Sequence, residues 1–177
     1  ASSDTATGLL VDQLNGSHEE QRTAVTSLRQ LCTQAKAQQA IVSGGGVGSL
    51  VSVAKGERTE GKTKQDAAFA LASLAASEHA ATIAGSGAVD VFIDALQFGV
   101  PEVTEAAATS LEQLVMHKEG KAAILAGGVG ASVGLLEDKS EAVQLSAVSV
   151  LQRLAEDGEG QDAVGEAGAA TSLVKLT

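Results

Sequence analysis

The sequence predicts an all-α fold, a right-handed α-solenoid built from short stacked helices. Three observations predict it: an internal repeat, apolar residues at helical spacing within each repeat, and the absence of a sustained strand-like alternation of apolar and polar residues. A length of 177 residues suits one domain or one short repeat array. Hydrophobic residues make up 44% of the chain and aromatic residues only 2%. We therefore expect a core of Ala, Val, Leu and Ile.

The repeat is visible as a pair of leucines, three residues apart, that occurs four times. The first leucines of the four pairs are spaced 43, 40 and 40 residues apart: Leu28, Leu71, Leu111 and Leu151. A second apolar series has spacings of 40, 42, 40 and 40: Val11, Val51, Ile93, Val133 and Leu173. A period of about 40 residues falls in the range of helical repeat arrays.

Glycines punctuate each repeat at the same place, just before its second helix. We expect these glycines to make the chain reversals that require a positive φ: Gly46, Gly87, Gly128 and Gly168. Pro101 follows Gly99 at the start of another helical segment, a favoured position for proline.

Three recurring segments resemble the armadillo repeat family. Its usual unit is a short helix ending in an I-V-x-A-G-G turn, a second helix of A-L-V-x-L-L type, and a long third helix ending A-L-x-N-L-A. The turn is matched at 40–45, 124–128 and 164–168, the second helix at 49–53 and 172–176, and the end of the third helix at 70–75.

This resemblance implies one armadillo array over residues 1–177, with about three complete and two partial repeats. Residues 1–7 are expected to be a disordered or extended N-terminal segment. The repeats are then 8–34 (partial), 35–77, 78–117 and 118–157 (complete), and 158–177 (partial).

The resemblance also implies a concave groove, lined by the third helices, that binds other proteins. In peptide-binding members of the family, Asn side chains along this groove hold the peptide backbone, and Trp lies one turn earlier. The Asn positions correspond here to Gln30, Ser73, Gln113 and Arg153, and the Trp positions to Thr26, Phe69, Thr109 and Ser149. None of the eight is Asn or Trp, so we predict a partner-binding groove from its shape and not from this motif.

The predicted function is therefore a non-catalytic protein–protein interaction module, acting as an adaptor or as a structural accessory subunit in a larger multi-protein assembly. The apolar residues Leu173, Val174 and Leu176 run to the end of the sequence without a polar cap, which makes them candidates for docking at the end of the array. The resemblance to the armadillo family implies a cytoplasmic or nuclear location. An alternative is that the chain is the processed form of an organellar protein.

The charge distribution narrows the class of partner. The formal net charge is −10, and residues 64–177 carry all of it. An acidic surface repels the phosphate backbones of nucleic acids and the head groups of anionic membranes, so we expect no nucleic-acid partner. No apolar run is long enough for direct membrane insertion. The same surface would suit basic peptide segments, so a receptor for such segments is an alternative function.

A second alternative is nucleotide binding, because residues 56–63 fit the pattern G-x-x-x-x-G-K-[ST] through Gly56, Gly61, Lys62 and Thr63. That loop must follow a strand, whereas 47–54 aligns with helical segments of the other repeats. The run 91–94, which ends in an aspartate, could imitate the metal-holding strand of such proteins. We discount the match and predict no cofactor and no enzymatic activity.

Other chemical motifs are also discounted. Ser132 lies in a G-x-S-x-G pattern, but no His follows it, as a hydrolase triad of that type requires. The sequence 15–17 is a glycosylation sequon that we interpret as a turn ending a helix. No metal site is predicted, because His18, His79 and His117 lie far apart, and Cys32 is the single cysteine.

Overall fold

The computed structural model describes residues 2–156 and 158–174, together with their side chains except those of 2–5, 171 and 173. Every regular element in this part of the chain is helical. In order, the α-helices are α1 (Ser2–Gln13), α2 (His18–Leu31), α3 (Ala35–Ser43), α4 (Gly46–Lys55), α5 (Gly61–Ala75), α6 (Ala80–Ala84), α7 (Ala88–Ala95), α8 (Pro101–Leu114), α9 (Lys118–Gly127), α10 (Val129–Gly134), α11 (Glu141–Leu154), α12 (Gly158–Glu166) and α13 (Ala169–Val174).

The helices form an α-solenoid, as the sequence predicted. Its long third helices are α2, α5, α8 and α11, and each packs against the next in chain order. One stripe of each helix faces the core. The buried alanines and leucines recur at the repeat spacing: Ala24, Ala67, Ala107 and Ala147, and Leu28, Leu71, Leu111 and Leu151.

These leucines are part of the core that holds the repeats together. All four are fully or almost fully buried, and burying a leucine side chain contributes about 1.5–3 kcal/mol. The alanines one turn earlier have almost no side-chain volume, which lets neighbouring third helices approach closely. The third helices thus form a continuous layer whose opposite face remains open to solvent.

The N-terminal segment differs from the expectation. Residues 2–7 belong to helix α1, so the prediction that 1–7 are disordered or extended is wrong for this described part. Helix α1 packs against α2 and α3. Thr7 and Val11 are buried within α1, and Leu14, just after its end, is buried as well. Because these residues are spaced four and three apart, they lie on one helical face. Packing of this face stabilises a helix that the polar sequence alone does not predict.

The start of α2 has a strong local signal. Ser17 is its N-cap and forms a capping box with Glu20. The Glu20 backbone N–H donates to the Ser17 hydroxyl oxygen, and the Ser17 backbone N–H donates to the Glu20 carboxylate at 2.7 Å. The Ser17 hydroxyl, which also donates to the Glu20 carboxylate at 2.7 Å, and the Ser17 N–H hold the pKa of Glu20 below its ordinary value. The segment 15–17 is thus the turn between α1 and α2, as its interpretation as a turn predicted.

The glycines before the second helices have two different roles. Gly45, Gly87 and Gly168 have a positive φ, whereas Gly128 has φ −103° and Gly46 is already the first residue of α4, so the expectation was wrong for these two. A Cβ on Gly46 would lie 2.8 Å from Ile41 Cγ2 and 2.9 Å from its carbonyl oxygen. Close packing at the corner between two helices, and not φ, therefore requires glycine there.

Candidate functional site

The eight predicted groove residues lie on one face of the four third helices. They occur two per helix on α2, α5, α8 and α11, at a separation of four residues, and all are exposed or half-buried. Residues four apart on a helix share a face. Together they line three hollows, each at the junction between two successive third helices.

The α2–α5 hollow has a volume of about 480 Å³ and is rich in cations. It is lined by Arg22, Thr26, Arg29, Gln30, Lys62 and Asp66. Arg29 Nη1 and Lys62 Nζ both donate to the same oxygen, Oδ1 of Asp66, at 2.5 Å. The Asp66 side chain is only 5% exposed. Two cationic groups thus share one buried carboxylate, and Arg22 lines the same hollow as a third cation.

Phe69 separates this hollow from the next. Its ring lies under the Arg29 guanidinium, whose central carbon is 4.2 Å from the ring centroid. A guanidinium over an aromatic face is attracted by the ring quadrupole. One side of the aromatic residue at the predicted groove position is therefore covered by an arginine of the preceding repeat.

The α5–α8 hollow has a volume of about 420 Å³ and combines an apolar floor with an acidic rim. The floor is formed by Phe69, Ala72, Ala76 and Ala106, and the rim by Glu102 and Glu105. Both carboxylates are exposed. Ser73, Thr109, Ser110 and Gln113 complete the lining. No cation lines this hollow.

The α8–α11 hollow, of about 370 Å³, has its charges paired within the chain. Arg153 donates to Glu156 at 2.7 Å, and Ser146 donates to the Glu112 carboxylate at 2.9 Å. Met116 is 59% exposed and lies beside these groups. This hollow therefore presents an unusually accessible thioether and little unpaired charge.

Two of the four residues at the Asn positions present free amides. Within the part of the chain that the structure describes, the Gln30 and Gln113 side chains make no hydrogen bond. The Ser73 hydroxyl donates to the Phe69 carbonyl at 3.0 Å, and Arg153 is held by Glu156. The free amides can each offer two donors and an acceptor to a peptide backbone.

The chain resembles solved structures of armadillo proteins. A designed armadillo repeat protein in complex with the peptide (KR)4 is 26% identical over 96% of this chain and 73% of its own, with a TM-score of 0.77. An engineered protein is 31% identical over 97% of this chain and 71% of its own, also with a TM-score of 0.77.

The chain has an armadillo-like repeat fold. An armadillo-repeats-only protein from Plasmodium falciparum shares the fold, with 22% identity over 88% of this chain and 71% of its own and a TM-score of 0.75. No protein-family sequence model and no curated protein sequence matches the chain. The armadillo fold is generally a non-catalytic binding scaffold.

The phosphate-loop match lacks the structural context that nucleotide binding needs. Residues 56–60 connect helix α4 to α5, and Gly61, Lys62 and Thr63 form the first turn of α5, so the motif follows a helix and not a strand. Lys62 is bound to Asp66, and Thr63 is buried. The run 91–94 lies in helix α7. The armadillo fold thus accounts for every part of this match.

The remaining chemical candidates are also structural. Ser132 is buried within α10, and its hydroxyl donates to the Gly128 carbonyl at 2.9 Å, so it is not an exposed nucleophile. No group of three potential metal ligands occurs among the described residues. Burial raises the pKa of the Cys32 thiol to about 12, which makes it unreactive at neutral pH.

The candidate residues for end docking are only partly described. Val174 is 73% exposed. The Leu173 side chain and the whole of Leu176 lie outside what the structure describes. No helix in the described part of the chain is long and apolar enough to cross a membrane.

Several groove residues were not anticipated from the sequence. The prediction missed Arg29, Asp66, Glu102 and Glu105, which set the charge of the first two hollows. The i, i+4 spacing of Lys62 and Asp66 was visible as an ion-pair signal. The contacts of Arg29 with Asp66 and Phe69 were not visible in the sequence, because Asp66 lies 37 residues away, on the next third helix, and Phe69 lies further along that helix.

Proposed function

We propose that this chain is a non-catalytic interaction module that holds an extended segment of a partner protein along α2, α5, α8 and α11. It would act as an adaptor or as an accessory subunit of a larger assembly. The observation that carries the proposal is the row of three hollows, each lined by predicted groove residues. A designed armadillo repeat protein of similar structure is in complex with the peptide (KR)4, which supports peptide binding as a use of this fold.

The choice of an extended segment follows from the shape of the surface. The hollows lie at successive helix junctions, whereas a globular partner would need one broad apolar patch. Free amides at Gln30 and Gln113 are suited to the repeating N–H and C=O groups of an extended backbone. The hollows between them are suited to alternate side chains of that segment.

A binding experiment with matched variants tests this proposal. Peptides would be selected from a random library on the immobilised chain, and their affinities measured by fluorescence anisotropy. Thr109→Arg places a bulky side chain in the α5–α8 hollow, which Thr109 lines. Thr82→Arg is the matched control, because Thr82 is exposed on α6 and lines none of the three hollows.

We expect Thr109→Arg to weaken binding of the selected peptides by about tenfold or more, and Thr82→Arg to leave it within about twofold. Circular dichroism and thermal unfolding would show that both variants keep the fold. Equal affinities of Thr109→Arg and the unchanged chain would contradict the proposal.

A receptor for uniformly basic segments is the second candidate, and the Glu102 and Glu105 rim favours it. Docking through the C-terminal end is a further form of the subunit role, supported by the exposure of Val174. A Val174→Asp variant that loses an assembly partner while keeping the selected peptides would favour the end over the groove.

A further inference from the structure

The charge of the groove changes along the row of third helices. Four residues before the positions of Thr26, Phe69, Thr109 and Ser149, the third helices carry Arg22, Gln65, Glu105 and Leu145. This row is thus basic, neutral, acidic and apolar in chain order. Leu145 is 60% exposed, so the apolar end of the row is open to solvent.

We infer that the groove binds an extended segment that carries an acidic side chain and, two residues away, a basic side chain. The acidic side chain lies in the α2–α5 hollow and the basic one in the α5–α8 hollow. This inference rests on the proposed function and names the class of segment that the groove selects.

The α2–α5 hollow suits a carboxylate because its cations exceed its anions. Arg29 and Lys62 converge on a single oxygen of Asp66, and that carboxylate is buried beneath them. The Arg22 side chain has no hydrogen-bond or ion-pair partner among the described residues. An incoming carboxylate would therefore meet three cationic groups, and arginine donates to carboxylates with a well-matched two-pronged geometry.

The α5–α8 hollow suits a lysine or arginine side chain. Its floor of Phe69 and three alanines matches the methylene stem, while Glu102 and Glu105 at the rim match the charged end. Neither carboxylate has an ion-pair partner within the described part of the chain.

The spacing of two residues follows from general dimensions. Packed helices lie about 8–10 Å apart, so neighbouring hollows are separated by about that distance. An extended chain advances about 3.3–3.6 Å per residue, which gives two to three residues between hollows. Side chains of an extended segment point the same way only at even spacings, so the separation is two.

This inference differs from recognition of uniformly basic segments. A second basic side chain would be placed among Arg22, Arg29 and Lys62, where like charges repel. A phosphate backbone would bring negative charge to Glu102 and Glu105 for the same reason. The groove therefore selects alternating charge and not net charge.

The test compares synthetic dodecapeptides that differ only in two central side chains. The first peptide carries Glu-Ala-Lys and the second carries Lys-Ala-Glu, the same residues in reverse order. The third carries Lys-Ala-Lys and the fourth carries Glu-Ala-Glu. We expect one of the two mixed peptides to bind at least about fivefold more tightly than both like-charged peptides. We expect this advantage to shrink in high salt, because screening weakens exposed charge pairs.

Two charge reversals assign each side chain to its hollow. Arg22→Glu is expected to weaken the mixed peptide about three- to tenfold and to strengthen Lys-Ala-Lys. Glu105→Lys is expected to weaken the mixed peptide similarly and to strengthen Glu-Ala-Glu. Lys36→Glu on α3 and Glu119→Lys on α9 are matched controls that line none of the three groove hollows, and we expect no change in preference.

Equal affinities for all four peptides, or tightest binding of Lys-Ala-Lys, would overturn the inference. If library-selected peptides still lose affinity in Thr109→Arg, the proposed function stands while the charge pattern fails. If Thr109→Arg changes no peptide's affinity, both fail.

Discussion

The two faces of the third helices obey different rules. On the buried face the same residue types return in every repeat, Ala24 and Leu28 being followed by their equivalents through Ala147 and Leu151. On the exposed face no residue type is kept throughout: the positions of Thr26 hold Thr, Phe, Thr and Ser, and those of Gln30 hold Gln, Ser, Gln and Arg.

This difference separates the fold from recognition. In a solenoid each repeat contacts its neighbours, so a repeated core is enough to propagate the stack. The exposed face has no such constraint and can vary from one hollow to the next. The repeated face therefore sets the armadillo fold, and the varied face sets what the groove selects.

The largest expected effect comes from removing a repeated core side chain. Leu111→Ala should lower the free energy of unfolding by about 2–5 kcal/mol, because Leu111 is buried and its loss leaves a cavity. Thr109→Ala, two residues away on the exposed face, should change it by less than about 0.5 kcal/mol. Urea denaturation followed by circular dichroism measures both, and similar losses would remove the distinction between the faces.

A smaller effect is expected at the corner between α3 and α4. Gly46→Ala should destabilise the chain by about 1–3 kcal/mol, because its Cβ would press on Ile41 and Val11. Gly48→Ala, in open space within α4, should instead stabilise it by about 0.5–1 kcal/mol. Stability changes of opposite sign for the two variants in thermal unfolding would confirm that packing, and not helix propensity, determines the effect of a substitution at Gly46. A stabilised Gly46→Ala variant would contradict this.

The smallest effect is expected at the capping box of α2, outside both faces. Ser17→Ala should cost about 1 kcal/mol at neutral pH. The pKa of Glu20 is lower in the folded chain than in the unfolded one. The stabilisation that its carboxylate contributes is therefore fully present above the pKa of the unfolded chain, and it is lost as the pH falls through the lowered pKa of the folded chain. The stability gap between the two chains should therefore shrink in acid. A gap that is constant from pH 7 to pH 3 would exclude a contribution from the Glu20 carboxylate.

The sequence predicted the buried face better than the exposed one, for a physical reason. Core positions follow from a period that is visible in the sequence. The groove positions around Phe69 and Thr109 followed from the resemblance to the armadillo unit, and their role in binding stays a prediction. The charge of each hollow depends on side chains from two helices at once. The contact of Arg29 with Asp66 and Phe69 needs the packing of α2 on α5, which no local pattern specifies.

Local errors had a related origin. Residues 2–7 were expected to be disordered or extended, but they form the first part of helix α1, which packs as a unit against α2 and α3. Gly45 and Gly46 are adjacent in the sequence, and the repeat pattern did not show which of them has the positive φ. The structure assigns it to Gly45. In both cases the deciding contact is tertiary.

The most direct test of the central claim is to map a bound peptide on the ¹⁵N-labelled chain by NMR titration. The account predicts that amide shifts concentrate on α2, α5 and α8, around Gln30, Phe69 and Thr109, with the stacked core unchanged. Shifts that concentrate on α6 and α9, or at Ala169–Val174, would contradict it, because recognition would then not reside on the exposed face of the third helices.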